Sequence, residues 1–242
     1  MASVTAAAQS PELFGAAHSV LLGAIGLLGA LVVWGLRRVR STSTAGTMVV
    51  TFGWVLLGSS LVYMGWMLLP ANWHLDQSLP LHFSDVLRLV AAIALICRTR
   101  WAVAITYYWG LTLNLQALLT PHPNMLAGLS IGVALYWWLH ILVLLAALSL
   151  VWGLGHRFQW RDFAAAYGAA LVWAAVAMSA NAALGTNYGF LNHSPEGPSL
   201  LDLLGPWPLY VVWLALLVAG VWALMTWPWT RPSGSAAAPP QG

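Results

Sequence analysis

Seven long apolar runs constrain this chain more than any other feature of its sequence. Together they cover about two-thirds of the chain, and each can cross a hydrocarbon core about 30 Å thick as an α-helix. Only 6% of the residues are charged, so no water-soluble surface can be built from them. The sequence therefore predicts an all-α, polytopic membrane protein, a bundle of seven transmembrane helices over residues 13–36, 47–69, 80–97, 101–119, 125–153, 163–184 and 206–228.

The domain organisation follows from the same runs. We expect one transmembrane domain over residues 13–229, with disordered tails of small residues and proline over 1–12 and 230–242. The single cysteine, Cys97, excludes an intrachain disulfide and any cysteine-based zinc or iron–sulfur site. We expect no cofactor and no nucleic-acid partner, while the oligomeric state is not specified by the sequence.

The distribution of charge predicts how the bundle is oriented. The chain has no lysine, and eight of its nine arginines fall in the first, third and fifth loops and the C-terminal tail. Four of the six acids lie on the opposite side: Glu12, Asp76, Glu196 and Asp202. The positive-inside rule then predicts an N-terminus outside and a C-terminus in the cytoplasm. Arginine without lysine, with abundant alanine, is typical of a G and C-rich bacterial genome, which predicts a multi-pass protein of the plasma (inner) membrane.

The third span contains an acid and an arginine, Asp85 and Arg88. Each costs about 2.5 to 3.5 kcal/mol at mid-membrane, so each requires a partner, a wet cavity or a function. On a helix through 80–97 they share one face, about 160° wide, with His82 and Ser84. This face is predicted to look into the bundle. Spaced three residues apart, Asp85 and Arg88 could also form a self-neutralising pair that only orients the helix.

Further polar groups are expected at a similar depth. His140 lies in the middle of the fifth span, and Asn114 and Gln116 lie in the outer half of the fourth. The loop over residues 185–205 is rich in glycine and proline and long enough to fold over them. The pattern predicts one polar cavity in the outer half of the bundle. The alternative is that Ser84 allows close helix contact and that Asn114 and Gln116 are packing groups.

Four sequence motifs carry a resemblance to a known family. They are LPLHFSD at 79–85, YWGL at 108–111 leading to QALLTP at 116–121, LGTNY at 184–188, and PSLLDLLGPWP at 198–208. In this order they resemble the motifs of the YwaF family of bacterial membrane proteins, which is similar to the animal transmembrane protein 164 family. The resemblance covers about residues 47–213 of the chain.

The resemblance implies a seven-helix protein and, through the animal relatives, an acyltransferase that moves fatty acyl chains onto lysophospholipids. The chemistry proposed for the family uses a thiol with a histidine. Ser84 stands where many members have the cysteine of a His-Leu-Cys motif, and His140 resembles a recurrent family histidine that would be the base. Androgen-induced-type membrane hydrolases are similar in using a hydroxyl with a histidine.

The sequence hypothesis is therefore acyl transfer or hydrolysis through an acyl-enzyme on Ser84, with membrane phospholipid or lysophospholipid as partner. His140 or His82 accepts the hydroxyl proton, and Asp85 holds the tautomer of the histidine. The predicted substrate-binding residues, which stabilise the oxyanion, hold the phosphate or cover the site, are Arg88, Asn114, Gln116, Asn187 and Tyr188.

Two other functions fit the same residues. A metal-dependent lipid hydrolase would use His82, Asp85 and His140 as ligands. A transporter, channel or sensor would bind an ion or a proton at the cluster of Asp85, Arg88 and His82.

Overall fold

The computed structural model describes residues 13–126, 128, 130–194 and 203–231. Throughout this part, the regular elements are helical. They are α1 (Ala16–Val39), α2 (Ser43–Met67), α3 (Leu75–Ser78), α4 (Phe83–Cys97), α5 (Arg100–Leu111), α6 (Leu113–Leu119), α7 (Ile131–Leu148), α8 (Trp160–Leu184) and α9 (Leu209–Thr230). Short 3₁₀ turns cover Pro123–Met125 and Tyr188–Phe190, and α7 continues into a π-helical turn, Ser149–Gly153. The predicted tails lie outside the described residues, apart from Thr230 and Arg231.

Six helical segments are long and apolar enough to cross a membrane: α1, α2, α3 with α4, α7 with its π turn, α8 and α9. The prediction of an all-α polytopic membrane protein is thereby confirmed for the described residues. The fourth predicted span, 101–119, differs from the other six because it is divided into α5 and α6.

The division lies at Thr112, whose φ of −119° and ψ of −82° are not helical. Its hydroxyl donates to the carbonyl of Tyr108 at 2.5 Å and accepts the indole N–H of Trp222 at 3.1 Å. These bonds replace part of the interrupted backbone ladder, as they must in a membrane. Beyond the break, the carbonyl of Leu118 bonds His18 Nε2 at 3.0 Å near the start of α1. The broken pair thus runs the length of the bundle although neither helix alone is long enough to span it.

The two ends of the bundle differ in charge. One end, here the arginine end, carries the described arginines other than Arg88. They lie at the ends of α1 and α9, around the junction of α4 with α5, and around the junction of α7 with α8. The opposite end, here the loop end, carries the segments 68–82 and 185–194. This separation is the asymmetry that the positive-inside argument requires, and which end faces the cytoplasm stays a prediction.

The core of the bundle is formed by α4, α5 and α7, which bury Leu87, Trp109 and Leu139. Close helix contacts depend on glycine: a Cβ at Gly53 of α2 would lie 2.6 Å from Ile96 Cγ1, and one at Gly110 of α5 would lie 3.1 Å from Ala147 Cβ. The peripheral helices α1, α8 and α9 expose many large apolar side chains, as a lipid-facing surface does.

Candidate functional site

The acid and arginine of the third span form a buried ion pair. Asp85 and Arg88 are 5% and 4% exposed, and a guanidinium Nη2 of Arg88 donates to Asp85 Oδ1. The guanidinium also lies over the ring of Tyr63 on α2, 4.5 Å from its centroid. The pairing that the spacing predicts is present, and it offsets much of the cost of burying both charges. Arg88 Nε is buried and has no hydrogen-bond partner among the described residues.

The structure corrects the predicted start of the third span. Helix α4 begins at Phe83 and not at residue 80, and His82 precedes it in an extended conformation, with φ −66° and ψ 148°. Asp85 Oδ2 accepts the backbone N–H of His82 at 3.0 Å, so the acid also caps this helix start. The prediction that His82 shares a helical face with Ser84, Asp85 and Arg88 is wrong, because His82 lies outside the helix.

The side chain of His82 faces the loop end. Its Nε2 donates to the carbonyl of Asp76 at 3.1 Å, and its ring lies edge-on to Tyr188 with centroids 4.9 Å apart. Tyr188 is fully buried and its hydroxyl bonds the carbonyl of Leu75 and the N–H of Leu79. Tyr188 therefore ties the segment before α4 to the loop after α8.

The other predicted loop residue, Asn187, is used within its own loop. Its amide donates to the carbonyl of His193 at 2.8 Å, and its oxygen accepts the N–H of Asn192 at 3.0 Å. The arrangement holds the loop in shape next to Tyr188.

Three aromatic residues that the sequence analysis did not single out fix the start of α4. Phe83 stacks on Trp109 of α5, with centroids 4.0 Å apart, and meets the edge of Trp173 of α8. The indole N–H of Trp173 donates to the carbonyl of Leu81 at 3.0 Å. The backbone on both sides of His82 is thus held by side chains from other helices, which fixes where Ser84 lies.

His140 is buried in α7 with one defined tautomer. Its Nδ1 lies 2.7 Å from the carbonyl oxygen of Tyr136, and because a carbonyl only accepts, Nδ1 carries the proton. In the neutral ring Nε2 therefore keeps its lone pair, and within the described ranges the side chain makes its hydrogen bond through Nδ1. Asn114 of α6 donates to the carbonyl of His140 at 3.0 Å, which ties the broken span to α7. A proton-free ring nitrogen on a fixed imidazole is what a general base requires.

Counted along the chain, Ser84 and His140 occupy corresponding positions in two adjacent helices. Ser84 precedes Cys97, and His140 precedes Gly153, by the same number of residues, which is about 20 Å of helix from the arginine end. Helices α4 and α7 pack on one another. Ser84 is half-buried, and its hydroxyl makes no hydrogen bond to any residue that the structure describes.

Other predicted residues lie elsewhere. The side chain of Gln116 is exposed, outside the buried cluster. Across the described ranges, no group of three or more histidine, cysteine, aspartate or glutamate side chains is close enough to hold a metal ion. His82, Asp85 and His140 thus do not converge, and the metal-dependent alternative lacks its ligand set.

Two cavities lie at the arginine end, with volumes of about 460 and about 200 Å³. Neither is lined by Ser84, His82, Asp85 or His140. The polar cavity expected in the outer half of the bundle stays a prediction.

Long apolar helices, with a buried ion pair and a buried histidine inside the bundle, define an all-α membrane protein. The sequence profile of the TMEM164 family matches residues 13–226, and the chain belongs to this family. The resemblance to the transmembrane protein 164 family is thereby confirmed, and the relation to the bacterial YwaF family stays a prediction. Comparisons with curated proteins and with solved structures give no match.

Proposed function

We propose that this protein transfers or hydrolyses the fatty acyl chains of membrane phospholipids through an acyl-enzyme on Ser84. The observation that carries the proposal is the hydrogen bond of His140 Nδ1 to the Tyr136 carbonyl, which leaves Nε2 of the neutral ring as an acceptor on a helix that packs on α4. Membership of the TMEM164 family supports the same chemistry, because the resemblance to that family implies an acyltransferase.

The reaction follows the usual course of acyl transfer. His140 Nε2 takes the proton of Ser84 Oγ while Oγ attacks the ester carbonyl of a phospholipid. The tetrahedral intermediate collapses, the bond to the glycerol oxygen breaks, and the imidazolium returns its proton to the departing lysophospholipid. A second lysophospholipid or water then attacks acyl-Ser84, with His140 again accepting and returning the proton.

The orientation of His140 is assigned to Tyr136 and not to Asp85. Both carboxylate oxygens of Asp85 already bind, one to the N–H of His82 and one to Arg88. The Tyr136 carbonyl takes the role that an acid has in a serine triad, because it holds Nδ1–H and aims Nε2.

Arg88 is the hydrogen-bond donor best placed to stabilise negative charge on the substrate. The amide of Asn114 already donates to a backbone carbonyl, whereas Arg88 Nε has no partner within the described residues. A guanidinium in a low-dielectric interior stabilises an oxyanion or a lipid phosphate strongly. We assign Arg88 to this role, with Ser84 in the outer half of the plasma membrane of a bacterium.

The proposal is tested in nanodiscs that hold a phospholipid with a heavy acyl chain and an unlabelled lysophospholipid, with products followed by mass spectrometry. We expect Ser84→Ala to lower the rate of acyl exchange or fatty-acid release about a hundredfold or more. Ser84→Cys keeps activity, because a thiol is a competent nucleophile. The matched control is Ser179→Ala on α8, which removes an exposed hydroxyl that bonds only to its own helix.

Two results contradict the proposal. One is a wild-type protein that is inert on a broad lipid panel. The other is a Ser84→Ala variant that is as active as the wild type. The first result favours the alternative of a transporter, channel or sensor built on Asp85, Arg88 and His82, which ion-flux measurements in liposomes would then examine. The second result means that the acyl chain is transferred without Ser84.

A further inference from the structure

The larger of the two cavities at the arginine end is an open pocket lined mainly by cationic and aromatic side chains. This arginine pocket lies between the end of α1, the π turn after α7, the following segment and the end of α9. Its volume of about 460 Å³ is in the range of sites that hold small molecules, about 300 to 1,000 Å³. It is lined by Arg37, Arg40, Val151, Trp152, Gly155, His156, Arg157 and Trp229.

Among the described residues, no acid compensates the positive charge of the arginine pocket. Three guanidiniums line it, and none of the described lining residues is acidic. Arg40 and Arg157 form neither an ion pair nor a side-chain hydrogen bond with the rest of the described chain. The smaller cavity next to it differs, because Asp162 there binds Arg100 through two hydrogen bonds of 2.7 Å.

The local backbone positions these cations. The Nε of Arg37 donates to the carbonyl of Trp152 at 2.8 Å, which anchors the side chain and leaves its terminal Nη groups for a ligand. Gly155 has a φ of +83°, a left-handed conformation that favours glycine, and a Cβ there would lie 3.7 Å from Arg40 Nη1. The chain can thereby turn back and bring His156 and Arg157 to the same cavity.

His156 adds a donor without adding charge. Burial, assisted by the charges of Arg98 and Arg100, lowers the pKa of His156 from its usual value near 6.5. The imidazole is therefore neutral at pH 7, and its single N–H can donate to an oxygen of an anion.

We propose that the arginine pocket binds a phosphate group, carried by a molecule whose apolar part packs against Trp152 and Trp229. Phosphate fits because guanidiniums bind its oxygens through paired, charge-assisted hydrogen bonds. The positive-inside rule by itself places arginines at this end but does not require them to surround a cavity. Two sources carry the same chemistry: the head group of an acidic phospholipid in the adjacent leaflet, and a soluble phosphorylated compound.

The test compares two double variants of the full-length protein with equal loss of charge. Arg40→Gln with Arg157→Gln removes two lining guanidiniums. Arg38→Gln with Arg231→Gln removes two arginines at the same end that lie over Trp34 and Trp227, outside the lining. Thermal unfolding is measured in nanodiscs of phosphatidylcholine with increasing pyrophosphate, and in nanodiscs with increasing phosphatidylglycerol.

A ligand of the pocket raises the unfolding midpoint of the wild type and of the control variant. In the lining variant, we expect the half-maximal concentration to increase about tenfold or more. Stabilisation by pyrophosphate identifies a soluble phosphate as sufficient, and stabilisation by phosphatidylglycerol alone identifies the lipid head group. The proposal is overturned if neither probe stabilises the protein, or if both double variants lose the effect equally, because the arginines then act only as bulk charge.

Discussion

At the scale of single residues, the ion pair of Asp85 and Arg88 is one of the two interpretations that the sequence allowed for these charges, and the structure contains it. Charges three residues apart on one helix can meet, and a membrane makes their separation costly, so the spacing was sufficient. The contact with Tyr63 could not be predicted, because it depends on how α2 packs against α4. The same holds for Tyr136, although its position four residues before His140 is the spacing at which a helical carbonyl is reached.

Removal of the arginine alone should lower the free energy of unfolding more than removal of both charges. Arg88→Met leaves Asp85 buried without its partner, and we expect the free energy of unfolding to fall by about 3 to 5 kcal/mol. The double variant Asp85→Asn with Arg88→Met removes both charges and keeps an acceptor for the N–H of His82, so it should lose less. Denaturant unfolding in detergent measures the free energy of unfolding of the two variants. A double variant less stable than Arg88→Met would show that the ion pair is not what makes Arg88 necessary.

At the scale of elements, the apolar runs predicted which segments are helical, but not where two of them begin or break. The run over 101–119 is apolar without interruption, and the break at Thr112 is accompanied by a hydrogen bond from Trp222, which is distant in sequence. The apolar residues Pro80 and Leu81 predict a helix start at residue 80, whereas Trp173 and Tyr188 hold this segment outside α4.

Close packing of α2 on α4 makes Gly53 intolerant of a side chain. A Cβ there would lie 2.6 Å from Ile96 Cγ1 and 3.2 Å from the backbone oxygen of Ala92, so a neighbour must shift. We expect Gly53→Ala to destabilise the protein by about 1 to 3 kcal/mol. The control is Gly58→Ala on the same helix, where a Cβ meets nothing within 4 Å and stability should not fall. Equal changes of the unfolding midpoint in the two variants would refute the close contact at Gly53.

Tyr188 should control the mobility of the segment before α4. In Tyr188→Phe, the N–H of Leu79 loses its acceptor and the carbonyl of Leu75 loses its donor. Loss of one hydrogen bond, about 1 kcal/mol, should speed amide exchange at Leu79 about fivefold. The control is Tyr210→Phe, whose hydroxyl bonds the carbonyl of Phe190 instead, and unchanged exchange at Leu79 in both variants would disprove the tie.

At the scale of the whole molecule, charge along the sequence predicts that the arginines other than Arg88 gather at one end, and they do. The position of the cavities was not predictable, because a cavity depends on how helix ends diverge and not on the periodicity of any one helix. The polar residues of the spans predict a cavity in the outer half of the bundle, whereas two cavities lie among the arginines at the opposite end.

The predicted orientation can be measured through the natural thiol. Cys97 is exposed at the arginine end, so a membrane-impermeant maleimide should label it in inverted vesicles and not in intact cells. Cys97→Ser with Ser194→Cys moves the thiol to the loop end and should reverse the pattern. Labelling of Cys97 from the cell exterior would contradict an N-terminus outside and a cytoplasmic C-terminus.

An acyl-enzyme on Ser84 can be detected by mass spectrometry of the protein itself. Wild-type protein in nanodiscs is exposed to a phospholipid with a heavy acyl chain, without lysophospholipid, quenched in acid, and digested. We expect a peptide that contains Ser84 and carries the mass of one heavy acyl group, and we expect this peptide to be absent in Ser84→Ala and greatly reduced in His140→Ala. Acylation at another residue, or acyl exchange without any adduct on Ser84 in the wild type or in Ser84→Cys, would contradict this acyl-enzyme.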